Sequence, residues 1–107
     1  MSKTDLAFLS ISELSRLFRS RKLSPVEFTE HFLSRIEKLN PELNAYLTVT
    51  PELALAQAKK AEAELFAPRG GKSRRDRGPL HGIPISLKDN IQTEGIRTTA
   101  GAKFLKE

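Results

Sequence analysis

The chain has 107 residues, of which 38% are hydrophobic and 29% charged, and its formal net charge is +5. A compact chain of this length buries about two-thirds of its surface, so one domain is the most it can form. It has no cysteine and only two isolated histidines, His31 and His81. Disulfide frameworks and thiolate metal sites are therefore excluded, and no bound metal is expected.

The sequence predicts a protein outside the membrane. No apolar run approaches about 20 residues, the length that spans a bilayer. Asp5 and Glu13 argue against an organelle presequence, because such presequences are poor in acidic residues. We therefore expect a cytoplasmic location.

The first predicted helix begins at Ser10. Ser10 and Glu13 have the three-residue spacing of a capping box. The apolar stripe that follows predicts plain core packing. It consists of Ile11, Leu14, Leu17 and Phe18.

The second predicted helix begins after Ser24, the expected N-cap, with Pro25 in the first helical position and Glu27 three residues after the cap. Asn40-Pro41 is predicted to end it. Its apolar stripe again predicts core packing. The stripe consists of Val26, Thr29, Phe32, Leu33, Ile36 and Leu39.

A strand and a third helix are predicted next. From Ala45 to Val49, apolar and polar residues alternate, which is typical of a strand. The third helix is predicted to begin at Pro51, capped by Thr50, and to run to about Phe66. Its inner side is predicted to consist of Ala54, Ala58, Ala61 and Leu65. Glu62 and Glu64 lie at the margins of that stripe, where their carboxylates are expected to reach water.

Most of the positive charge lies in one segment, residues 67–77. Five of its residues are basic and one is acidic, and it has two adjacent glycines and no apolar periodicity. We call this segment the basic loop and predict a solvated, mobile loop. A phosphate contact is the functional alternative. Base stacking has no support, because no aromatic residue lies among the arginines.

The most informative stretch runs from Gly78 to Ile91. Ile83, Ile85 and Leu87 alternate with more polar residues, which predicts a strand with one apolar face. Lys88 ends this strand. A lysine there can lay its stem along the sheet with its ammonium in water. Alternatively, burial in a closed apolar site can lower its pKa, so that the neutral amine serves as a base.

These residues resemble the beginning of the amidase signature enzymes. The resemblance rests on the runs GPLHGIPISLKDNI (78–91) and GIRTTAGAKFL (95–105), and it extends upstream through LNAYLTVT (43–50) and the alanine-rich segment 54–63. Within that family the chain is most similar to the branch formed by the A-type subunits of the glutamyl-tRNA(Gln)/aspartyl-tRNA(Asn) amidotransferases. The resemblance implies an α/β fold in which helices pack on a mixed β-sheet.

The resemblance also implies an activity. The family lysine, here Lys88, is the general base of a Ser-cisSer-Lys triad. Both serines belong to a glycine- and serine-rich stretch that does not occur before Glu107, so residues 1–107 are expected to be an N-terminal segment of a single amidase domain. No cofactor is expected in this chain. Implied partners are the other subunits of a heterotrimeric complex, aminoacyl-tRNA and the substrate glutamine, with ATP and magnesium used by a partner subunit.

Alternatives remain open at this point. The chain can also be a fragment of another amidase-signature amide hydrolase, or a non-catalytic module whose helices bind a partner and whose basic loop contacts RNA. His81 is predicted to serve its turn rather than a reaction. Asp89 is predicted to be a turn residue, although an acid beside Lys88 would stabilise the charged lysine and oppose the base role. Thr98 or Thr99 is expected to cap a helix starting near Ala100.

Overall fold

A computed structural model describes residues 6–72 and 74–101 of the chain. Its regular structure there includes three helices: α1 (Ile11–Arg19), α2 (Pro25–Leu43) and α3 (Pro51–Phe66). α2 packs chiefly against α3, and α1 also contacts α3. None of the helices in these ranges is long and apolar enough to cross a bilayer.

The predicted starts of α1 and α2 are confirmed. The Ser10 hydroxyl accepts a hydrogen bond from the Glu13 N–H, and the Glu13 carboxylate accepts one from the Ser10 N–H. The Ser24 hydroxyl accepts from the Glu27 N–H at 2.9 Å. Thr50 differs, since it precedes α3 without a side-chain capping bond. These caps supply acceptors for N–H groups that the first helical turn leaves without partners.

The end of α2 was predicted wrongly. The helix continues through Pro41 to Leu43, because a proline so near the end removes only one helical hydrogen bond. Asn44 then closes the helix in the left-handed conformation, with φ 51° and its N–H donating to the Asn40 carbonyl. The Asn40 side chain bonds both backbone groups of Tyr46, so this residue is tied to the helix end.

The hydrophobic core joins the three helices. Phe18 of α1 and Phe28 of α2 form an edge-to-face pair with ring centroids 6.1 Å apart. Phe28 was missed in the predicted stripe of α2, whereas the inner side of α3 is confirmed by its buried Ala58, Ala61 and Leu65. Partly buried apolar residues surround this core. They are Leu6, Leu9, Leu17, Phe32, Phe66 and Ile83.

The two predicted strands do not form in the part of the chain that the structure describes. Residues 45–49 and 83–88 are irregular, and the β-pairing found in 6–72 and 74–101 is one isolated bridge, Thr93 to Ile96. A strand needs a neighbour to satisfy its backbone, and neither segment pairs with the other. The mixed sheet is therefore not formed by these residues.

The helix predicted near Ala100 also does not begin there. Ala100 and Gly101 both have positive φ, 48° and 77°, and form a turn. The remainder of that prediction, residues 102–107, lies outside the described residues.

Candidate active-site segment

Lys88 lies at the end of an irregular segment and at the start of a turn. Its carbonyl accepts a hydrogen bond from the Ile91 N–H at 3.0 Å. Its side chain is exposed, as are Ser86 and Leu87 before it. A lysine base requires desolvation to lose its proton near neutral pH, and the described residues do not provide that enclosure. The surroundings of Lys88 are thus open.

The entry to this segment is anchored on the helical core. Gly82 has φ +85°, and a Cβ there would lie 3.0 Å from Pro25 and 3.4 Å from Phe18. Ile83 packs against the core and donates to the Leu80 carbonyl at 3.0 Å. Beyond this anchor the apolar side chains have no cover, since Ile85 is 75% and Leu87 51% exposed. The segment therefore presents an apolar face away from the helices.

Asp89, next to Lys88, binds one short segment of the chain. One carboxylate oxygen accepts from the Thr99 N–H at 2.8 Å, and the other accepts from the Thr99 hydroxyl and from the Gly101 N–H at 3.3 Å. The Asp89 carbonyl accepts from the Ala100 N–H at 3.1 Å. These hydrogen bonds, led by that of the Thr99 hydroxyl, lower the pKa of Asp89. The predicted turn role of Asp89 is confirmed.

His81 serves its turn, as predicted. It is buried, at 9% exposure, and its Nδ1 accepts from the Arg77 N–H at 3.1 Å. Burial lowers the pKa of His81, because desolvation disfavours the imidazolium. The unprotonated ring nitrogen, Nδ1, is the one that could accept a proton as a base, and it already accepts a hydrogen bond from the backbone.

The basic loop is less free than predicted. Arg19 of α1 pairs with Asp76 at 2.5 Å and also donates to the Gly78 carbonyl at 2.7 Å. Arg77 pairs with Glu64 of α3 at 2.8 Å. The expectation that Glu64 reaches water was wrong, because it is only 9% exposed beneath this arginine. The loop's C-terminal part is therefore tied to two helices.

Most of the other basic side chains of the basic loop are solvated. Arg69, Lys72 and Arg75 are exposed, and Arg74 is half-buried, donating to the Ala67 carbonyl at 3.1 Å. Ser73 lies outside the described residues.

Within residues 6–72 and 74–101, no three potential metal-ligating side chains come together. Two shallow concavities lie elsewhere, along α3 and between α2 and Tyr46.

Comparison with known proteins decides the family. A family profile described as Amidase matches residues 27–107. The chain belongs to the amidase family. This match covers the stretch from Gly78 to Ile91 and most of the helical part, so the resemblance seen in the sequence is confirmed.

Several curated amidase relatives share one name, that of the A subunit of glutamyl-tRNA(Gln) amidotransferase. The relative from Dehalococcoides mccartyi (strain 195) is 48% identical over 103 residues, which is 96% of this chain and 20% of that protein. The relative from Methylobacillus flagellatus is 44% identical over 97 residues, 91% of this chain and 18% of that protein. The Geobacter metallireducens relative is 46% identical over 101 residues, 94% and 19% respectively.

The amidase chain thus spans about a fifth of the length of these curated relatives. No solved structure matches it.

Sequence reasoning missed the contacts that two residues of this region make, Thr99 with Asp89 and Glu64 with Arg77. Thr99 is 2% exposed and bonds Asp89 across ten residues. The Glu64 carboxylate accepts a hydrogen bond from the Arg77 side chain. The Arg77 N–H in turn donates to His81, in the turn before Ile83. Neither contact has a local spacing rule like that of a helix cap, so no signal in the sequence indicated them.

Proposed function

We propose that this chain supplies the lysine-bearing segment of an amide hydrolase, the glutamine-hydrolysing component of a tRNA-dependent amidotransferase. The observation that carries the proposal is identity of 44–48% over more than nine-tenths of the chain to proteins named as the A subunit of glutamyl-tRNA(Gln) amidotransferase. Fold alone would not justify an activity, but here the range matched by the family profile, residues 27–107, includes the residues around Lys88.

In this proposal Lys88 is the general base. The family resemblance implies that it accepts a proton through a bridging serine, while a second serine attacks the amide carbon and ammonia leaves. Backbone N–H groups hold the oxyanion. The exposed position of Lys88 is compatible with this role if the residues that carry the serines also enclose the lysine.

We further propose that residues 83–88 form a strand of a mixed sheet in a protein of its relatives' length. The alternation of Ile85 and Leu87 with polar residues supports this, as does their 75% and 51% exposure. Such a face is costly to leave in water. A neighbouring strand would satisfy its backbone, and a covering element would desolvate Lys88.

Partners follow from the same assignment. The released ammonia would be used by another component of a heterotrimeric complex to amidate Glu or Asp carried on tRNA, with ATP and magnesium belonging to that component's chemistry. We place the complex in the cytoplasm. These statements rest on the name that the relatives share and on the resemblance of residues 78–105.

The test uses a chimera in which this chain replaces the matching segment of the Geobacter metallireducens relative, assembled with that organism's partner subunits. Glutaminase activity is measured as ammonia released from glutamine. Lys88→Ala should lower kcat by at least about a hundredfold, the usual scale for a lost general base.

Lys38→Ala is the matched control, because Lys38 is an exposed lysine on α2. It should leave kcat within about twofold, since a solvated surface substitution is nearly neutral. Near-normal turnover of Lys88→Ala in an active chimera would refute the assignment of Lys88.

A non-catalytic, RNA-contacting module is the second candidate. The exposed Arg69, Lys72 and Arg75 favour it, because phosphate contacts need solvent-accessible cations. It predicts that a triple alanine variant of these residues loses affinity for tRNA, while Lys88→Ala has no effect on glutamine hydrolysis. The hydrolase assignment predicts the opposite result for Lys88.

A further inference from the structure

The turn that follows Lys88 is fastened to a distant part of the chain. Asp89 accepts four hydrogen bonds from residues 99–101, three on its carboxylate and one on its carbonyl. The partners lie ten to twelve residues further along the chain. We call this arrangement the Asp89 clamp. It closes the intervening residues into a loop whose two ends cannot move independently.

The clamp is built from backbone conformations that carry a cost. Ala100 has φ 48°, a left-handed value that is strained for a non-glycine residue. This conformation and that of Gly101 accompany N–H donation from residues 100 and 101 to Asp89. Thr99 is 2% exposed, so its hydroxyl is shielded from competing water. Strain of this kind persists only where surrounding contacts impose it.

The clamp fixes the backbone from which the Lys88 side chain leaves. The Lys88 carbonyl is held by the Ile91 N–H, and the next residue is held by the clamp. The peptide group that follows the Lys88 Cα, and the residue after it, are therefore both restrained. A base gains from such restraint, because misplacement by about 1 Å can cost two orders of magnitude in rate.

The Asp89 clamp also explains how an acidic residue, Asp89, can lie next to Lys88, the proposed base. A free carboxylate next to Lys88 would stabilise the ammonium and oppose proton acceptance. Both oxygens of Asp89 are occupied by Thr99 and Gly101. The positive charge that adds to the lowering of the Asp89 pKa is that of Arg97. The Asp89 carboxylate thus bonds residues at the other end of the loop that the clamp closes.

We propose that Asp89 is a positioning residue for Lys88, and that Thr99 keeps the Asp89 carboxylate engaged away from the lysine ammonium. This inference rests on the proposed function of Lys88. It assigns two further residues of this chain to the performance of the base, neither of which contacts the substrate.

Three variants of the chimera test the proposal. Thr99→Val removes the hydroxyl donor and keeps the shape and the backbone N–H. Thr99→Ser keeps the hydroxyl and is the matched control. Asp89→Asn removes the charge and keeps one oxygen as acceptor for the Thr99 N–H. Measured quantities are kcat and KM for glutamine, the pH profile of kcat/KM, and the melting temperature.

Thr99→Val should lower kcat about tenfold or more with KM within about twofold, because orientation of the base rather than substrate binding is disturbed. It should also move the acid limb of the pH profile to higher pH, since a released carboxylate oxygen stabilises the ammonium. Asp89→Asn should lower kcat without that upward shift, because it has no charge to offer. Thr99→Ser should retain kcat within about twofold and the unchanged profile.

The outcomes separate this inference from the proposed function. An active Lys88→Ala chimera refutes the proposed function, and the inference with it. An inactive Lys88→Ala together with unchanged kcat and pH profile in Thr99→Val and Asp89→Asn, whatever their melting temperatures, overturns the inference alone. If Thr99→Val does not fold, Asp89→Asn decides the matter: unchanged kcat overturns the positioning role.

Discussion

Gly82 shows how a single residue joins the Lys88 segment to the helical core. It combines φ +85° with a close approach, since an added Cβ would lie 3.0 Å and 3.2 Å from two atoms of Pro25. Only glycine adopts this conformation without strain and leaves that space open. Gly70 has a similar φ of +80° but nothing within 4 Å of an added Cβ. Comparing alanine substitutions at the two glycines therefore distinguishes the cost of backbone strain from the cost of steric conflict.

Gly82→Ala should lower the free energy of unfolding by about 2 to 4 kcal/mol, the sum of left-handed strain and overpacking. Gly70→Ala should lower it by about 1 kcal/mol, from strain alone. Urea denaturation of both variants measures the difference. Equal losses would contradict the close packing of Gly82 on Pro25 and Phe18.

Among elements, the basic loop and α3 are joined by ionisable groups whose charge states matter. The Arg77 guanidinium lowers the pKa of Glu64, and the Arg19 guanidinium lowers that of Asp76. Burial lowers the pKa of His81, whose neutral Nδ1 accepts the Arg77 N–H. All three groups bind protons more weakly in the folded state than in the unfolded state. Stability is therefore linked to pH with a single sign.

We expect the free energy of unfolding to fall as the pH is lowered. The decline begins below the ordinary His81 pKa of 6.5, where the unfolded chain takes up a proton that the folded chain resists. It steepens below the ordinary pKa values of 4.5 for Glu64 and 3.8 for Asp76, because stability from a lowered carboxylate pKa is lost as the folded state is protonated. Denaturation at a series of pH values from about 7.5 to about 3.5 measures this course.

His81→Asn provides the control for the upper part of that pH range. An asparagine oxygen can accept the Arg77 N–H in place of Nδ1 but does not titrate. The decline just below the ordinary His81 pKa of 6.5 should vanish in this variant, while the decline at lower pH remains. An unchanged profile would show that His81 does not contribute.

The helices and the Lys88 segment differ at the scale of the whole molecule. Phe18 and Phe28 lie in α-helices, whose backbone groups are hydrogen-bonded to one another, and both residues are at most 2% exposed. The N–H groups of residues 85–88 donate no backbone hydrogen bond within the described ranges. Local stability follows hydrogen bonding and burial. The chain therefore consists of a packed helical part and an unpaired extended part.

Amide exchange of the 107-residue chain should be at least about a hundredfold slower at Phe18 and Phe28 than at residues 85–88. In the chimera, residues 85–88 should gain protection, because in the proposed sheet they pair with neighbouring strands. Strong protection of residues 85–88 in a monomeric sample of the chain alone would show that they pair within it. Absence of protection in the chimera would contradict the proposed sheet.

The helix starts, most of the core and the family could all be predicted from short stretches of the sequence. Caps such as Ser10 with Glu13 act over three residues, and apolar stripes repeat within one element, so both are visible locally. The motif around Lys88 is likewise contiguous. These features need no knowledge of how distant residues meet.

The contacts that hold the Lys88 segment could not be predicted, because they join residues that meet only in the folded chain. Asp89 meets Thr99 across ten residues and Arg19 meets Asp76 across 57, and no sequence periodicity relates such pairs. The alternation at Ile85 and Leu87 is typical of a strand, but no strand forms among the described residues. A strand exists only when a neighbouring backbone accepts its hydrogen bonds. Residues 6–72 and 74–101 provide no such neighbour for it.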